Sequence, residues 1–533
     1  MPVYLLLVAI VIFACVLLNK LSSKLGIPTL LAFILLGMFF GSDGIVKIHF
    51  DNYEFAEQIC SVALIFIMFY GGFGTNWKEA KPVAAKAVLL SSLGVIMTSG
   101  LVGLFCHFAL KISWLESLLI GSVIGSTDAA SVFSILRSKR LNLKYNTASL
   151  LEVESGSNDP FSYMLTMILL SVINGTASGA GIAYMIFAQL VYGILFGAAI
   201  AFVSVWMMKK IQFSSSGFDA VFATAVAILA YAAPAALGGN GYLSTYIAGI
   251  ALGNANIKNK KTLVPFFDGL TGLMQMLIFF LLGLLAFPSQ LPQVALPALA
   301  IALFLTFIAR PAAVFTLLTP FGSKFSQQLT VSWAGLRGAA SIVFAVMATM
   351  NTNTGYDIFH MVFFIVLFSI LLQGSLLPFI SGKLSMIDER ADVMKTFSDY
   401  SNEIPVQFIQ FTIPEDHPWC NVPVKEIILP PDTLFVLLQR DQEKLVPKGE
   451  TVLQSNDTLL LSAKSPGKIE GVQLTEQQIT EESEIRGKQL GQLPKRESAL
   501  IILVMRRQEV LIPNGNTVLE AGDTLVINRT DDR

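Results

Sequence analysis

Residues 150–164 read LLEVESGSNDPFSYM, three carboxylates and an asparagine set inside an apolar run that extends over about 147–174. A segment of that length crosses a bilayer, and ionisable residues inside a span are rare, costly and functional by default. On a helix Glu154 and Asn158 lie four residues apart, as do Ser155 and Asp159, so the two pairs stack along adjoining stripes. Such a stripe cannot face lipid. It needs polar partners from other spans.

The surrounding chain is membrane sequence. Its 533 residues are 54% hydrophobic and 14% charged, and the mean hydropathy is +0.65, outside the range of a soluble enzyme. Apolar runs at roughly 3–18, 26–41, 57–75, 87–109, 114–137, 147–174, 181–208, 218–237, 242–254, 262–286, 291–319, 326–349 and 356–382 give about 13 spans. The first lacks a basic flank and a cleavage site, so it reads as a retained helix rather than a signal peptide. Lys20/Lys24, Lys78/Lys81/Lys86, Arg137/Lys139/Arg140/Lys144, Lys209/Lys210, Lys258/Lys260/Lys261 and Lys324 all follow odd-numbered spans. Cytoplasmic loops carry the Lys/Arg excess, which places the N-terminus outside and the C-terminus in the cytoplasm.

Polar residues at mid-span recur in three further places: Gly125-Ser126-Thr127-Asp128 in the fifth span, Arg310-Pro311 in the eleventh, and Gly335-Leu336-Arg337-Gly338 in the twelfth. Glycine beside polar residues at that depth permits an unwound stretch whose freed backbone groups line a cavity. Ala129-Ala130-Ser131 resembles Ala339-Ala340-Ser341. With the seventh span as a linker, the fifth and twelfth become matching members of two inverted six-helix repeats, with the site expected at the repeat interface. A buried carboxylate holds a proton or a monovalent cation but not both, and that competition is an exchange mechanism. Asp159 is the natural carrier, with Thr127, Asp128 and Ser155 offering hard oxygens for an alkali cation. Glu154 is expected to pair with Arg310, because an unpaired guanidinium at that depth is costly, and the pair would position Asn158.

After residue 382 the composition turns charged, and a repeat appears. Residues 442–461, QEKLVPKGETVLQSNDTLLL, match 508–527, QEVLIPNGNTVLEAGDTLVI, at a constant offset of 66: Gln442/Gln508, Pro447/Pro513, Gly449/Gly515 and Asp457/Asp523. Short apolar runs separated by Gly and Asp turns read as strands. The expected organisation is a transmembrane domain over 1–382, a linker over 383–396, and two tandem copies of a small α+β module over 397–470 and 471–533.

Thr127-Asp128, then Glu154-Ser155-Gly156-Ser157-Asn158-Asp159-Pro160, then Gly335-Leu336-Arg337-Gly338 resemble the signature of the monovalent cation/proton antiporters related to the sodium/proton exchangers, in their NhaP-like branch. The resemblance implies an all-α membrane fold of 13 helices with a core and a dimerisation domain, and a homodimer in the bacterial cytoplasmic membrane. It also implies electroneutral one-for-one exchange at an Asn158-Asp159 site, and Arg337 in the crossing of the two broken spans. The third span departs from the pattern: Phe69-Tyr70-Gly71-Gly72-Phe73-Gly74 lacks the acidic residue many relatives carry there. The tail resembles the TrkA-C (RCK C-terminal) domain of potassium transport proteins. That implies a regulatory ligand at 397–533, cyclic di-AMP first and an adenine mononucleotide second, and favours potassium over sodium as the exchanged cation.

Other chemistries find little support. No HExxH pair and no nucleophile–histidine arrangement points to an enzyme. Cys15, Cys60, Cys106 and Cys420, and His49, His107, His360 and His417, have no metal-ligand spacing, so no cofactor is expected in the membrane part. No feature points to nucleic acid. The alternatives are a sodium/proton antiporter and a ligand-gated cation channel, which would also carry polar residues at mid-depth.

Overall fold

The computed structural model describes residues 2–25, 29–138, 141–210, 216–257, 260–352, 355–388, 406–440, 443–464, 473–480, 483, 485–492, 499–506, 509–511 and 513–529. Lys139, Arg140 and Lys258 of the expected cationic loops, Gln442 and Gln508 of the repeat, and 389–396 of the expected linker lie outside the described residues. Two compact units form, Met1–Ser401 and Asn402–Arg533.

The first unit is helical. Among the described residues seven helices are long and apolar enough to cross a membrane: Tyr53–Gly74, Trp77–Leu110, Gly179–Lys210, Gly217–Ala235, Thr262–Leu285, Leu291–Phe321 and Ile358–Lys383. Shorter apolar helices add Val8–Leu18, Thr29–Phe40, Trp114–Val123 and Ala339–Asn351. These two groups do not by themselves reach the expected count of 13. The expected sixth span is present as Thr147–Ile173, but its carboxylates and asparagine lower its hydropathy, and the expected ninth is the 14-residue helix Gly241–Asn254.

Small residues let the helices approach closely in place of the hydrophobic drive that lipid does not supply. A Cβ on Gly249 or Gly253 would run into the backbone of Phe69–Phe73, and one on Gly37 into the backbone of Phe280–Leu284. Three long helices carry a π-type turn, Leu90–Gly94, Leu305–Ala309 and Ser369–Gly374. The second lies directly before Arg310, and the third supplies Ser369, which accepts from the Arg337 amide at 3.0 Å. Such bulges concentrate at functional positions.

In the second unit each repeat copy forms a four-stranded antiparallel sheet. Strands β1 (Val406–Thr412), β2 (Thr433–Arg440), β3 (Glu443–Leu445) and β4 (Thr458–Lys464) take the order β1-β4-β2-β3. Strands β5 (Gln473–Gln478), β6 (Ala499–Arg506), β7 (Glu509–Leu511) and β8 (Thr524–Arg529) take the order β5-β8-β6-β7. The helical component of these modules is confined, among the described residues, to the single 3-10 turns Val424–Glu426 and Leu490–Gln492.

The offset of 66 persists in three dimensions. The register shift between Phe435 and Leu437 recurs between Ile501 and Leu503, and the left-handed residue Asn456 recurs as Gly522. Arg440 grips Asp457 with two hydrogen bonds of 2.7 and 2.6 Å, and Arg506 grips Asp523 with two of 2.8 Å. Both carboxylates are buried.

The Arg506 hydrogen bonds, opposed by desolvation, hold the Asp523 carboxyl below the usual carboxylate range. Burial raises Asp457, but the bonds from Arg440 and the Gln454 amide outweigh it and hold that carboxyl low as well. A depressed folded value contributes stability that is complete above the unfolded carboxyl pKa, about 3.9, and is lost as pH falls through the folded one. Arg506→Ala should therefore destabilise the second module by about 2 kcal/mol at neutral pH, measured as faster hydrogen exchange of the β8 amides in the full chain. The difference from wild type should shrink below about pH 4; a difference that persists there would assign the effect to packing.

Candidate ion-binding site

The fifth and twelfth spans are each broken into two half-helices, Trp114–Val123 with Ala129–Ser138, and Phe325–Trp333 with Ala339–Asn351. Between them residues 124–128 and 334–338 leave the helical path and meet each other. The Asp128 amide donates to the Leu336 carbonyl at 2.8 Å, and the hydroxyls of Ser126 and Ser341 lie 3.1 Å apart. A break leaves carbonyls exposed at one half-helix end and amides at the other. Arg337, 1% exposed, answers the carbonyls: its Nη1 donates to Gly125 at 2.8 Å and to Ser126 at 2.5 Å. Asp128 answers the amides, accepting from the Ser131 amide at 3.3 Å and from the Ser131 hydroxyl. Gly338 permits this crossing, because a Cβ there would run into the Asp128 side chain as far back as its own Cβ.

The stripe on Thr147–Ile173 holds the first break in place through Thr127. Asn158 Oδ1 accepts from the Thr127 amide at 3.2 Å, Asn158 Nδ2 donates to Thr127 Oγ1 at 2.6 Å, and the Ser155 hydroxyl donates to the Thr127 carbonyl at 2.6 Å. Every polar group of Thr127 is thus engaged by that helix. Arg310 Nη2 lies 2.6 Å from Glu154 Oε1, and both side chains are buried. The contact is a close ion pair set off the hydrogen-bond axis, with the guanidinium laid along Gly335. Asp159 is buried as well, but unlike Asn158 and Ser155 it has an oxygen, Oδ1, with no hydrogen-bond partner among the described residues, and unlike Glu154 it has no ion pair there.

Asp159 borders a cavity of about 440 Å³ that also takes in Ser126, Thr127, Asp128, Glu152 and Ser155. The structure thus brings Thr127, Asp128, Ser155 and Asp159 to one space. Asn158, Glu154, Arg310 and Arg337 are not among its lining residues, and among the described residues no lysine or arginine is.

The opposite wall was not anticipated from sequence. Helix Lys260–Leu285 contributes Asp268, Thr271 and Gln275, spaced i, i+3, i+7 like Glu152, Ser155 and Asp159. Thr271 Oγ1 is buried without a hydrogen-bond partner among the described residues, and Tyr70 donates to Asp268 at 3.4 Å. The shared spacing was the available signal, but a single aspartate about two turns beyond a lysine-bearing loop reads as an interfacial residue. The third span supplies Tyr70, Gly71 and Gly74 to the cavity and no carboxylate.

Residues 8–383 match the family described as sodium/hydrogen exchanger, transmembrane, and 408–468 and 474–529 each match the TrkA-C domain. The chain is 35% identical over 465 residues to the K(+)/H(+) antiporter NhaP of Alkalimonas amylolytica, covering 86% of this chain and 81% of that protein. It is 32% identical over 464 residues to the K(+)/H(+) antiporter NhaP2 of Shewanella sp. (strain ANA-3), covering 86% and 80%. In fold it resembles the sodium proton antiporter MjNhaP1 from Methanocaldococcus jannaschii, with a TM-score of 0.63 over 72% of this chain and 99% of that one, at 24% identity. These matches and the crossed broken helices identify the chain as a multi-pass membrane protein of the sodium/hydrogen exchanger family, an antiporter and not an enzyme, fused to two tandem TrkA-C domains.

Proposed function

We propose that this chain exchanges potassium, in preference to sodium, for protons one for one across a bacterial cytoplasmic membrane, with Asp159 as the group that carries either ion. The observation that carries the reading is the contrast at the site: Thr127, Asn158 and Ser155 satisfy one another, whereas Asp159 borders an acid-lined cavity with Oδ1 unpartnered. A monovalent cation entering that cavity meets acidic and neutral side chains among the described residues, and its final ligand is a carboxylate that a proton can occupy instead. Asn158 and Ser155 shape the Thr127 turn, Asp128 and Arg337 hold the half-helix ends, and the Glu154–Arg310 pair braces the site helix. The potassium preference rests on the K(+)/H(+) antiporter relatives and on the TrkA-C tail.

The orientation rests on the cationic loops. Gly71 and Gly74, Glu152 and Asp268 lie on the ends of their helices nearest Lys78, Lys144 and Lys260, so the cavity opens towards the cytoplasm, with the N-terminus outside. The active form is a homodimer, and the tail over 397–533 binds cyclic di-AMP or an adenine mononucleotide. The experiment is proton flux in proteoliposomes holding either potassium or sodium as the only exchangeable cation. Potassium should drive the larger flux at equal concentration; flux with sodium alone would reverse the selectivity.

A further inference from the structure

The chain leaves the membrane unit through residues 384–388, and this exit segment is tied to the site. Ile387 pairs antiparallel with Leu143. The Lys144 amide donates to the Met386 carbonyl at 2.8 Å, the Asp388 amide to the Asn142 carbonyl at 2.9 Å, and Lys144 Nζ to the Ser385 carbonyl at 2.8 Å. The Met386 side chain is fully buried in a cluster with Leu143, Leu136, Leu150 and Val331. Residues 142–146 belong to the loop between the half-helix that Asp128 caps, ending at Ser138, and the helix that bears Asp159, starting at Thr147.

The same loop is held from its other side by the first half of the second broken helix. Gln327 donates to the Tyr145 carbonyl and to Thr147 Oγ1, each at 3.2 Å, and Lys324 donates to the Tyr145 hydroxyl at 2.9 Å. Thr147 Oγ1 in turn donates to the Lys144 carbonyl at 2.6 Å, at the first turn of the site helix. That helix runs unbroken from there to Asp159, roughly 18 Å away at a rise of 1.5 Å per residue. One short loop therefore joins the exit to the tail with both broken helices and the carrier residue.

We propose that the Asn142–Lys144/Ser385–Asp388 bridge is the lever through which the tail sets the transport rate. A shift of Asp388 along the chain axis moves the loop, and the loop moves the Asp128 and Asp159 helices together. The inference rests on the regulatory reading of the tail, because a ligand can act only through an element that differs between conformational states.

Asp388→Pro removes the amide donor, and Lys144→Met removes the Nζ bond; Asp388→Glu and Lys144→Arg keep the amide, the side-chain charges and a cationic donor. In full-chain proteoliposomes D388P/K144M should change the maximal exchange rate several-fold at unchanged cation KM, while D388E/K144R stays at the wild-type rate. Closing the bridge with an L143C/I387C disulfide should shift the rate in the opposite sense, reversed by reductant, which keeps the test intact if the proline variant fails to fold. With cyclic di-AMP as the probe, any response of the wild type should vanish in D388P/K144M. Wild-type rates in both the opened and the closed variant would overturn the lever, as would an unaltered cyclic di-AMP response in D388P/K144M. A wild type that ignores cyclic di-AMP, with variants whose rates still change, would instead overturn that ligand and leave the lever standing.

Discussion

Asp159→Asn should reduce cation-driven proton flux to the background of protein-free liposomes while leaving the protein folded. The amide has nearly the same shape as the carboxylate, and the Thr127, Asn158 and Ser155 bonds that fix the local backbone do not pass through it. What the substitution removes is the charge that a cation neutralises and the oxygen that a proton occupies. A variant that melts as the wild type does yet carries no flux separates the carrier role from a structural one. Retained pH-driven exchange would move the carrier to Glu152, Asp128 or Asp268, the other carboxylates on the same cavity.

The largest loss of stability is expected from Arg310→Ala. It leaves Glu154, buried at 1% exposure, as an uncompensated charge, a defect that costs on the order of 3–5 kcal/mol. Replacing the partner as well, in Arg310→Ala/Glu154→Gln, should recover part of that loss, because the buried charge disappears with it. Thermal unfolding of the detergent-solubilised protein reads the difference. Among the described residues Glu154 forms its ion pair with Arg310, whereas Arg337 directs Nη1 at the Gly125 and Ser126 carbonyls. A double variant no more stable than the single one would contradict the pairing.

Much of this arrangement was legible in the sequence because it is local. Helical spacing put Glu154, Ser155, Asn158 and Asp159 on adjoining stripes, and glycine beside polar residues marked the two breaks. The offset of 66 announced two copies of one sheet, matched here down to the Arg440–Asp457 and Arg506–Asp523 pairs.

What was not legible depends on which elements meet. Spacing says that a helix has a polar side but not which helix it faces, so the wall of Asp268, Thr271 and Gln275 went unseen. Asp128 reads as a cation ligand from composition, yet its position directly before a half-helix also makes it a cap, a role visible only once the break has a defined end. The bridge from 385–388 to 142–144 is made mainly by backbone atoms about 240 residues apart, which no side-chain pattern encodes. The transmembrane count depends on the same limit, because a helix that turns its polar stripe inward falls below the hydropathy of one that faces lipid.

The most direct test of one carrier serving both ions is the cation flux of the wild-type chain under an imposed pH gradient, with the membrane potential varied independently. Competition for Asp159 predicts that protons leave as cations enter, that the net flux stops when the two concentration ratios are equal, and that changing the potential does not move that balance point. Cation flux without proton counterflow, or a balance point that shifts with the potential, would contradict it.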